Sequence, residues 1–185
     1  MMHRLVLGGE KSGKSAWAMA RFLDDSGPHR LLVTGKARDL AFRQQIERHR
    51  QERAPSLFVE EVAAAPQALP LALERAAEAG MAAVLVDSVD FWLFAAAQSQ
   101  DTPDPDRIAD RIATAILRLA DTLDTLQDYL AVTLVSCETG LGPIAADAVT
   151  RRFVRSLGAC NQALARCCEE VVLVAAGLPL FLKQR

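Results

Sequence analysis

The residues that announce chemistry lie near the start of the chain. Gly8-Gly9-Glu10-Lys11-Ser12-Gly13-Lys14-Ser15 fits the pattern G-x-x-x-x-G-K-[ST], after a short apolar run and before a helical pattern. Such a loop turns successive backbone N–H groups inward, and with the positive end of the following helix they cradle phosphate oxygens. In this reading the whole stretch from Gly8 to Ser15 binds nucleotide. Lys14 reaches the β- and γ-phosphates as a catalytic group, and the Ser15 hydroxyl is a ligand for Mg²⁺. Asp87 ends the apolar run Val84-Leu85-Val86 and is the expected acidic partner of that ion, either directly or through water. Thr34 and Gly35, at the end of the second predicted strand, join the nucleotide-binding set. Kinases, GTPases and ATPases all use this loop. The sequence has no Asn-Lys-x-Asp guanine-reading segment, which argues against an ordinary GTPase switch.

A second candidate is His49. It falls in a polar helical stretch, Asp39 to Glu52, among Arg43, Arg48 and Arg50, with Arg53 one helical turn further on. Neighbouring positive charge disfavours the imidazolium and leaves a neutral nitrogen able to attack phosphorus. On the residues alone, an ordinary exposed histidine on a solvated helix is the favoured reading. Glu138 follows a predicted buried strand, where it could position a metal or an acceptor, or simply order its own loop.

The elements that must hold these groups alternate along the chain. Short apolar strands are expected at Leu5–Leu7, Leu31–Thr34, Leu57–Val62 (an edge strand), Ala83–Val86 and Leu130–Val135. Helices are expected at Lys14–Leu23, Asp39–Glu52, Ala68–Ala79 and Val89–Ala97. A longer one carries Ile108, Ile112, Ile116, Leu119, Leu123 and Leu126 on one face, and a last one carries Phe153, Leu157, Cys160, Leu164 and Cys167. Gln98 to Asp106 reads as a polar loop. Val171–Ala175 and Leu178–Leu182 form a hairpin around Gly177. This order predicts an α/β fold of the P-loop NTPase type, with a mostly parallel sheet, helices on both faces and a C-terminal β-hairpin. It predicts one domain over residues 1–185. Trp92 is expected in the core, and His3 and His29 at the surface.

Composition narrows the partners. With 21 Lys+Arg against 23 Asp+Glu, the net charge of −2 argues against a dedicated nucleic-acid binder, which needs many phosphate contacts. The longest apolar run, Val171 to Leu182, is interrupted by Gly177 and Pro179, so no membrane insertion is expected. The short apolar start is read as a strand and not as a signal peptide. Cys137, Cys160, Cys167 and Cys168 form no C-x-x-C pair and are read as reduced thiols of a cytoplasmic protein.

Several segments together resemble the bifunctional adenosylcobinamide kinase/adenosylcobinamide-phosphate guanylyltransferase family of cobalamin biosynthesis, nearly end to end. The opening Leu-Gly-Gly-Glu-Lys-Ser-Gly-Lys-Ser is similar to that family's loop. So are Ile46-Glu47-Arg48-His49 with Arg53, and Val86-Asp87-Ser88-Val89-Asp90-Phe91-Trp92-Leu93. Arg151-Arg152-Phe153, Gly158, Asn161-Gln162 and the ending Ala176-Gly177-Leu178-Pro179-Leu180 with Lys183 follow the family pattern too. The chain departs from that pattern at Cys137, where the family has Asn, and at Asp90, where it has Thr. The resemblance implies two reactions. One moves the γ-phosphate of ATP or GTP to a corrinoid hydroxyl. The other moves GMP from GTP, through a guanylyl-histidine, to the corrinoid phosphate. It assigns the nucleophile to His49 and nucleotide contacts to Arg53 and Glu61. It also implies a homo-oligomer, of trimeric propeller form. A P-loop small-molecule kinase with another acceptor, and a nucleotide-binding regulatory module with little turnover, are the competing readings.

Overall fold

A computed structural model describes residues 1–34, 57–97 and 105–184. The strands are β1 (Arg4–Gly8), β2 (His29–Val33), β3 (Leu57–Glu61), β4 (Ala83–Asp87), β5 (Ala131–Cys137), β6 (Glu170–Ala175) and β7 (Leu178–Lys183). The helices are α1 (Lys14–Leu23), α2 (Ala68–Glu78), α3 (Val89–Ala97), α4 (Pro105–Leu126) and α5 (Ala148–Cys167). The strands form one sheet in the order β3-β2-β4-β5-β1-β6-β7. All neighbours run parallel except β7, which returns antiparallel along β6. The expected mostly parallel α/β sheet with a C-terminal hairpin is what the chain builds.

Side chains alternate between two cores with the two-residue period of a strand. Val84 and Val86 of β4 face one core while Ala83 and Leu85 face the other; Leu5 and Leu7 of β1 likewise oppose Val6. The larger core is closed by α2, α3, α4 and α5, and the smaller one holds Ala18, Met19 and Phe22 of α1. Each fully buried Val or Leu contributes roughly 1.5–3 kcal/mol, so a one-residue slip of β4 would exchange its two faces at high cost. That register fixes Asp87 between Val33 of β2 and Val135 of β5.

The helical periods translate directly. Ile112, Ile116, Leu119, Leu123 and Leu126 of α4 lie against Leu157, Cys160 and Leu164 of α5 in the larger core, and Trp92 is buried there as expected. Asp147 starts α5 by accepting a hydrogen bond from the Thr150 N–H at 2.8 Å. Lys183 donates from its ammonium to the carbonyls of Ala165 (2.8 Å) and Cys168 (2.5 Å), closing the other end of that helix. The four cysteines are free thiols. Burial pushes the Cys160 thiol up to about 12 and that of Cys167 to about 11.

The structure corrects four expectations. His29 is buried and lies edge-on to Phe22 with ring centroids 4.8 Å apart, so β2 starts two residues earlier than its apolar run suggests. His3 is fully buried as well. Its Nε2 meets the Leu123 carbonyl at 2.9 Å, near the C-terminal end of α4 where helical carbonyls lack partners, and desolvation lowers its pKa. The His3 contact spans 120 positions, and the His29–Phe22 contact is made by packing across the α1–β2 turn, so neither was visible as a pattern. The long helix starts at Pro105, inside the expected loop, because proline suits the first helical position. β5 runs on to Cys137, two residues beyond the expected end at Val135. The expected helix Asp39–Glu52 lies outside the described residues.

Candidate nucleotide-binding site

In open parallel sheets, ligands bind beyond the carboxyl ends of the strands where the strand order reverses. Here β1 sits between β5, reached after three intervening strands, and β6 on the other side. The loop Gly8–Gly13 leaves β1 at that point and runs into α1.

Its backbone is tightly determined. Gly8 is closely enclosed, since a Cβ there would lie 2.4 Å from Ser12 Oγ and 2.7 Å from the Val174 carbonyl oxygen. Gly13 has φ 93°, a left-handed conformation that side chains resist, and it opens α1 without a side-chain cap. The first N–H groups of α1 are therefore open to an anion. The Ser12 hydroxyl oxygen is buried with no protein hydrogen-bond partner, an orphan inside the loop. Lys14 folds back so that its ammonium donates to the Gly9 carbonyl at 3.2 Å and lies 4.0 Å from Cys137 Sγ. This places its charge over the loop's mouth.

Asp87 faces this loop from the end of β4. The Ser15 hydroxyl hydrogen-bonds to its carboxyl group, and Lys14 acts on it electrostatically. Burial nevertheless pushes its pKa up to about 6, with Asp90 adding to the rise while Ser15 and Lys14 oppose it. Asp90 Oδ1 in turn accepts from the Cys137 N–H at 3.1 Å, fastening the first turn of α3 to the end of β5. Asn161 holds that end from the other side, accepting from the Ser136 hydroxyl at 2.7 Å and donating to the Cys137 carbonyl at 3.1 Å.

The structure thus brings together Gly8, Gly9, Ser12, Gly13, Lys14, Ser15 and Asp87. Glu10 and Lys11 lie exposed on the loop's outer rim. The Thr34 side chain is spent on the chain itself: its hydroxyl accepts from the Ser88 N–H at 3.0 Å and pairs with the Ser88 carbonyl. It secures the peptide that follows Asp87. Glu61 is exposed at the end of β3, two strands from Asp87, or about 10 Å at ordinary strand spacing. Gly35, His49 and Arg53 lie outside the described residues. Glu138 accepts from the Gly140 N–H at 2.7 Å, so it orders its own loop.

Sequence reasoning missed the contribution of Cys137, Asp90 and Asn161 to the shape of the site. It also missed the packing of the β6–β7 turn on the phosphate loop, where the Gly177 N–H donates to the Ser12 carbonyl at 2.8 Å. The signal available was the Ala176-to-Leu180 segment, which matched a family pattern without showing why.

The loop, the strand-end carboxylate and the sheet order define a P-loop nucleotide-binding protein of the α/β class. An ATPase from the type III secretion system of pathogenic bacteria has a similar fold (TM-score 0.54, 12% identity) over 93% of this chain; the chain spans half the length of that ATPase. Residues 4–182 match the family described as cobinamide kinase/cobinamide phosphate guanyltransferase. The chain is also 35% identical over 183 residues to the bifunctional adenosylcobalamin biosynthesis protein CobP of Pseudomonas aeruginosa, with 98% of each covered. The chain belongs to this family, and so to the bifunctional kinases and guanylyltransferases of cobalamin biosynthesis.

Proposed function

We propose that the site around Gly8–Ser15 carries both reactions: phosphorylation of adenosylcobinamide by ATP or GTP, then transfer of GMP from GTP to adenosylcobinamide phosphate. The observation that carries this assignment is the convergence of Lys14, Ser15 and Asp87 at the uncapped start of α1. A polyphosphate in the loop would supply the missing acceptors for the open N–H groups of α1. Lys14 then neutralises charge on the β- and γ-phosphates as the γ-phosphoryl group moves to the corrinoid hydroxyl. In guanylylation the same Lys14 and loop N–H groups hold the departing pyrophosphate.

The donor set also fits Mg²⁺. Ser15 and Asp87 offer hard oxygen ligands. Among the described residues no group of three or more His, Cys, Asp or Glu could hold a metal alone, so substrate phosphates would complete the coordination. The carboxylate of Asp87 is costly to bury without a cation, which is the environment such an ion repays. When bound, the ion would supply charge stabilisation at the bridging phosphate oxygens.

For the second reaction we assign the nucleophile to His49. Its neutral imidazole nitrogen bonds to the α-phosphorus of GTP as the bond to pyrophosphate breaks. The resulting phosphoramidate then passes GMP to a phosphate oxygen of the corrinoid acceptor and returns the imidazole. Gly9, Glu10, Lys11, Thr34, Gly35, Arg53 and Glu61 complete the proposed nucleotide contacts. We further propose one domain over residues 1–185, a cytoplasmic location and a homo-oligomer, a trimer on the family resemblance. No described helix is long and apolar enough to cross a membrane. Leu178, Leu180 and Leu182 expose more than half their surface along the edge strand β7, which supports self-association. Light scattering after gel filtration reads the mass directly.

GTP labelled at the α- or the γ-phosphorus tests the chemistry. The α-label should remain on denatured protein in an acid-labile, base-stable form and disappear in His49→Ala. The γ-label should pass to adenosylcobinamide. Absence of protein-bound α-label in the wild-type chain would refute the histidine route, and absence of γ-transfer would refute the kinase assignment.

A further inference from the structure

The β6–β7 turn touches the phosphate loop through backbone alone. Ala175 pairs with Leu178, leaving a two-residue connection, Ala176-Gly177, with φ of 52° and 79°. Both values are left-handed, as in the tight turns that suit the twist of a hairpin. In such a turn the second central N–H is not needed to close the turn. Here the Gly177 N–H donates to the Ser12 carbonyl at 2.8 Å. The approach is close, because a Cβ on Gly13 would lie 3.2 Å from Gly177 Cα. Next to it, the Val174 carbonyl of β6 closes over Gly8.

We infer that the Gly177 N–H is a positioning group for phosphate binding: it fixes which way the Ser12–Gly13 peptide faces. A trans peptide points its C=O and N–H in opposite directions. Holding the Ser12 carbonyl outward, toward the hairpin, therefore turns the Gly13 N–H inward, toward the phosphates. Gly13 is a glycine with positive φ, so nothing in its own side chain prevents the peptide from flipping. A flipped peptide would put a carbonyl oxygen into an anion cradle. The hairpin is itself anchored at two further points, which makes it a firm backing. Phe181 meets Trp17 of α1 edge-on at 6.2 Å, and Lys183 is tied to the end of α5. The Ala-Gly ending thus acts on phosphate binding without touching the ligand.

This inference rests on the loop binding a polyphosphate. Gly177→Pro would delete the donor but cannot adopt a φ of 79°, and so risks the whole hairpin. An amide-to-ester replacement at position 177 removes the N–H while leaving every side chain in place; it also weakens the preceding carbonyl as an acceptor, an effect the control shares. Native Cys168 supplies the ligation thiol for joining a synthetic C-terminal segment to residues 1–167. The control is the same replacement at Leu182, further along β7. Dissociation constants for ATP, GTP and inorganic pyrophosphate are measured by calorimetry on both refolded full-length chains and on the wild-type chain. The expected result is at least a tenfold weaker Kd for all three ligands in the 177 ester, with the 182 ester within twofold of wild type. A 177-to-182 Kd ratio of threefold or more for pyrophosphate supports the positioning role; a smaller ratio overturns it, since the strand and not the bond would be responsible. If the wild-type chain binds none of the three, the phosphate-loop reading itself fails.

Discussion

Strand β1 begins and ends in polar surroundings of opposite kinds. At its amino end Arg4 forms an ion pair with Glu170 and donates to the Thr133 hydroxyl at 3.2 Å, with the Arg4 and Glu170 side chains 4% and 8% exposed. The Arg4–Glu170 pair finds its partners within the protein, although the neighbouring His3 leaves its Nδ1 without one. Four residues later Gly8 opens into a loop with an orphan hydroxyl at Ser12, a lysine resting on a carbonyl and a carboxyl group raised to about 6. The amino end is buried in the sheet, whereas the loop beyond Gly8 is largely exposed. What distinguishes them is whether the charged groups already neutralise one another, as Arg4 and Glu170 do and Asp87 does not. A neutralised end contributes to folding, and the other is held ready for a charged ligand at some expense in stability.

Exchanging Lys14 and Arg4 for neutral residues tests that difference most severely. Lys14→Ala should lower kinase turnover on the order of 10²–10³-fold, as for loss of one transition-state donor, with little change in melting temperature. Arg4→Met should do the reverse. Stranding Glu170 as a buried charge costs about 3–5 kcal/mol, on the order of 10 °C in Tm for a chain of this size, while activity per folded molecule stays within about twofold. Arg4→Met with Glu170→Leu should recover most of that loss, because a matched apolar pair leaves no charge behind. If Arg4→Met instead abolished turnover at a temperature where the protein is folded, the two ends would not be separable.

Asp87 gives a pH-dependent version of the same contrast. Its folded pKa, about 6, lies above the ordinary aspartate value of 3.8. The unfolded chain therefore ionises first, and stability falls as pH rises from about 4 to 6. Asp87→Asn removes that penalty. Without nucleotide or Mg²⁺, the variant should be more stable than wild type at pH 8, by about 1–3 kcal/mol, and show little advantage at pH 4. Its kinase activity should be lost. Paired melting curves at the two pH values decide the matter; an equal difference at both would show that Asp87 is not held above its ordinary range.

How much of this was legible in the sequence follows from the range of each contact. The phosphate loop and the Asp87 strand end are local patterns, and so are the hairpin around Gly177 and the helical stripes of α4 and α5. All of these could be read directly. The Arg4–Glu170 pair spans 166 positions and the His3–Leu123 contact 120, so only the folded topology creates them. For the same reason His3 was expected outside; His29 was expected there because its packing on Phe22, only seven positions away, depends on how α1 lies against β2. The Gly177–Ser12 bond is a backbone contact, which no side-chain pattern encodes. His49, Arg53 and Gly35 rest on the sequence and its resemblance.

The smallest effect is expected where a carboxylate sits at the functional end but already has a protein partner. Glu138 follows β5 beside Cys137, within electrostatic reach of that thiol, yet its Oε1 accepts from the Gly140 N–H in an exposed turn. Water can replace that acceptor, so Glu138→Ala should cost under about 1 kcal/mol in stability. The affinity for ATP and GTP should stay within about twofold, because only the backbone of Glu138 holds the phosphate loop: its N–H donates to the Gly8 carbonyl at 3.0 Å, a bond the alanine variant keeps. Calorimetric titration of the variant measures both quantities in one preparation. A tenfold loss of nucleotide affinity would mean that location at this end of the sheet, and not an unsatisfied polar group, is what marks a residue as functional.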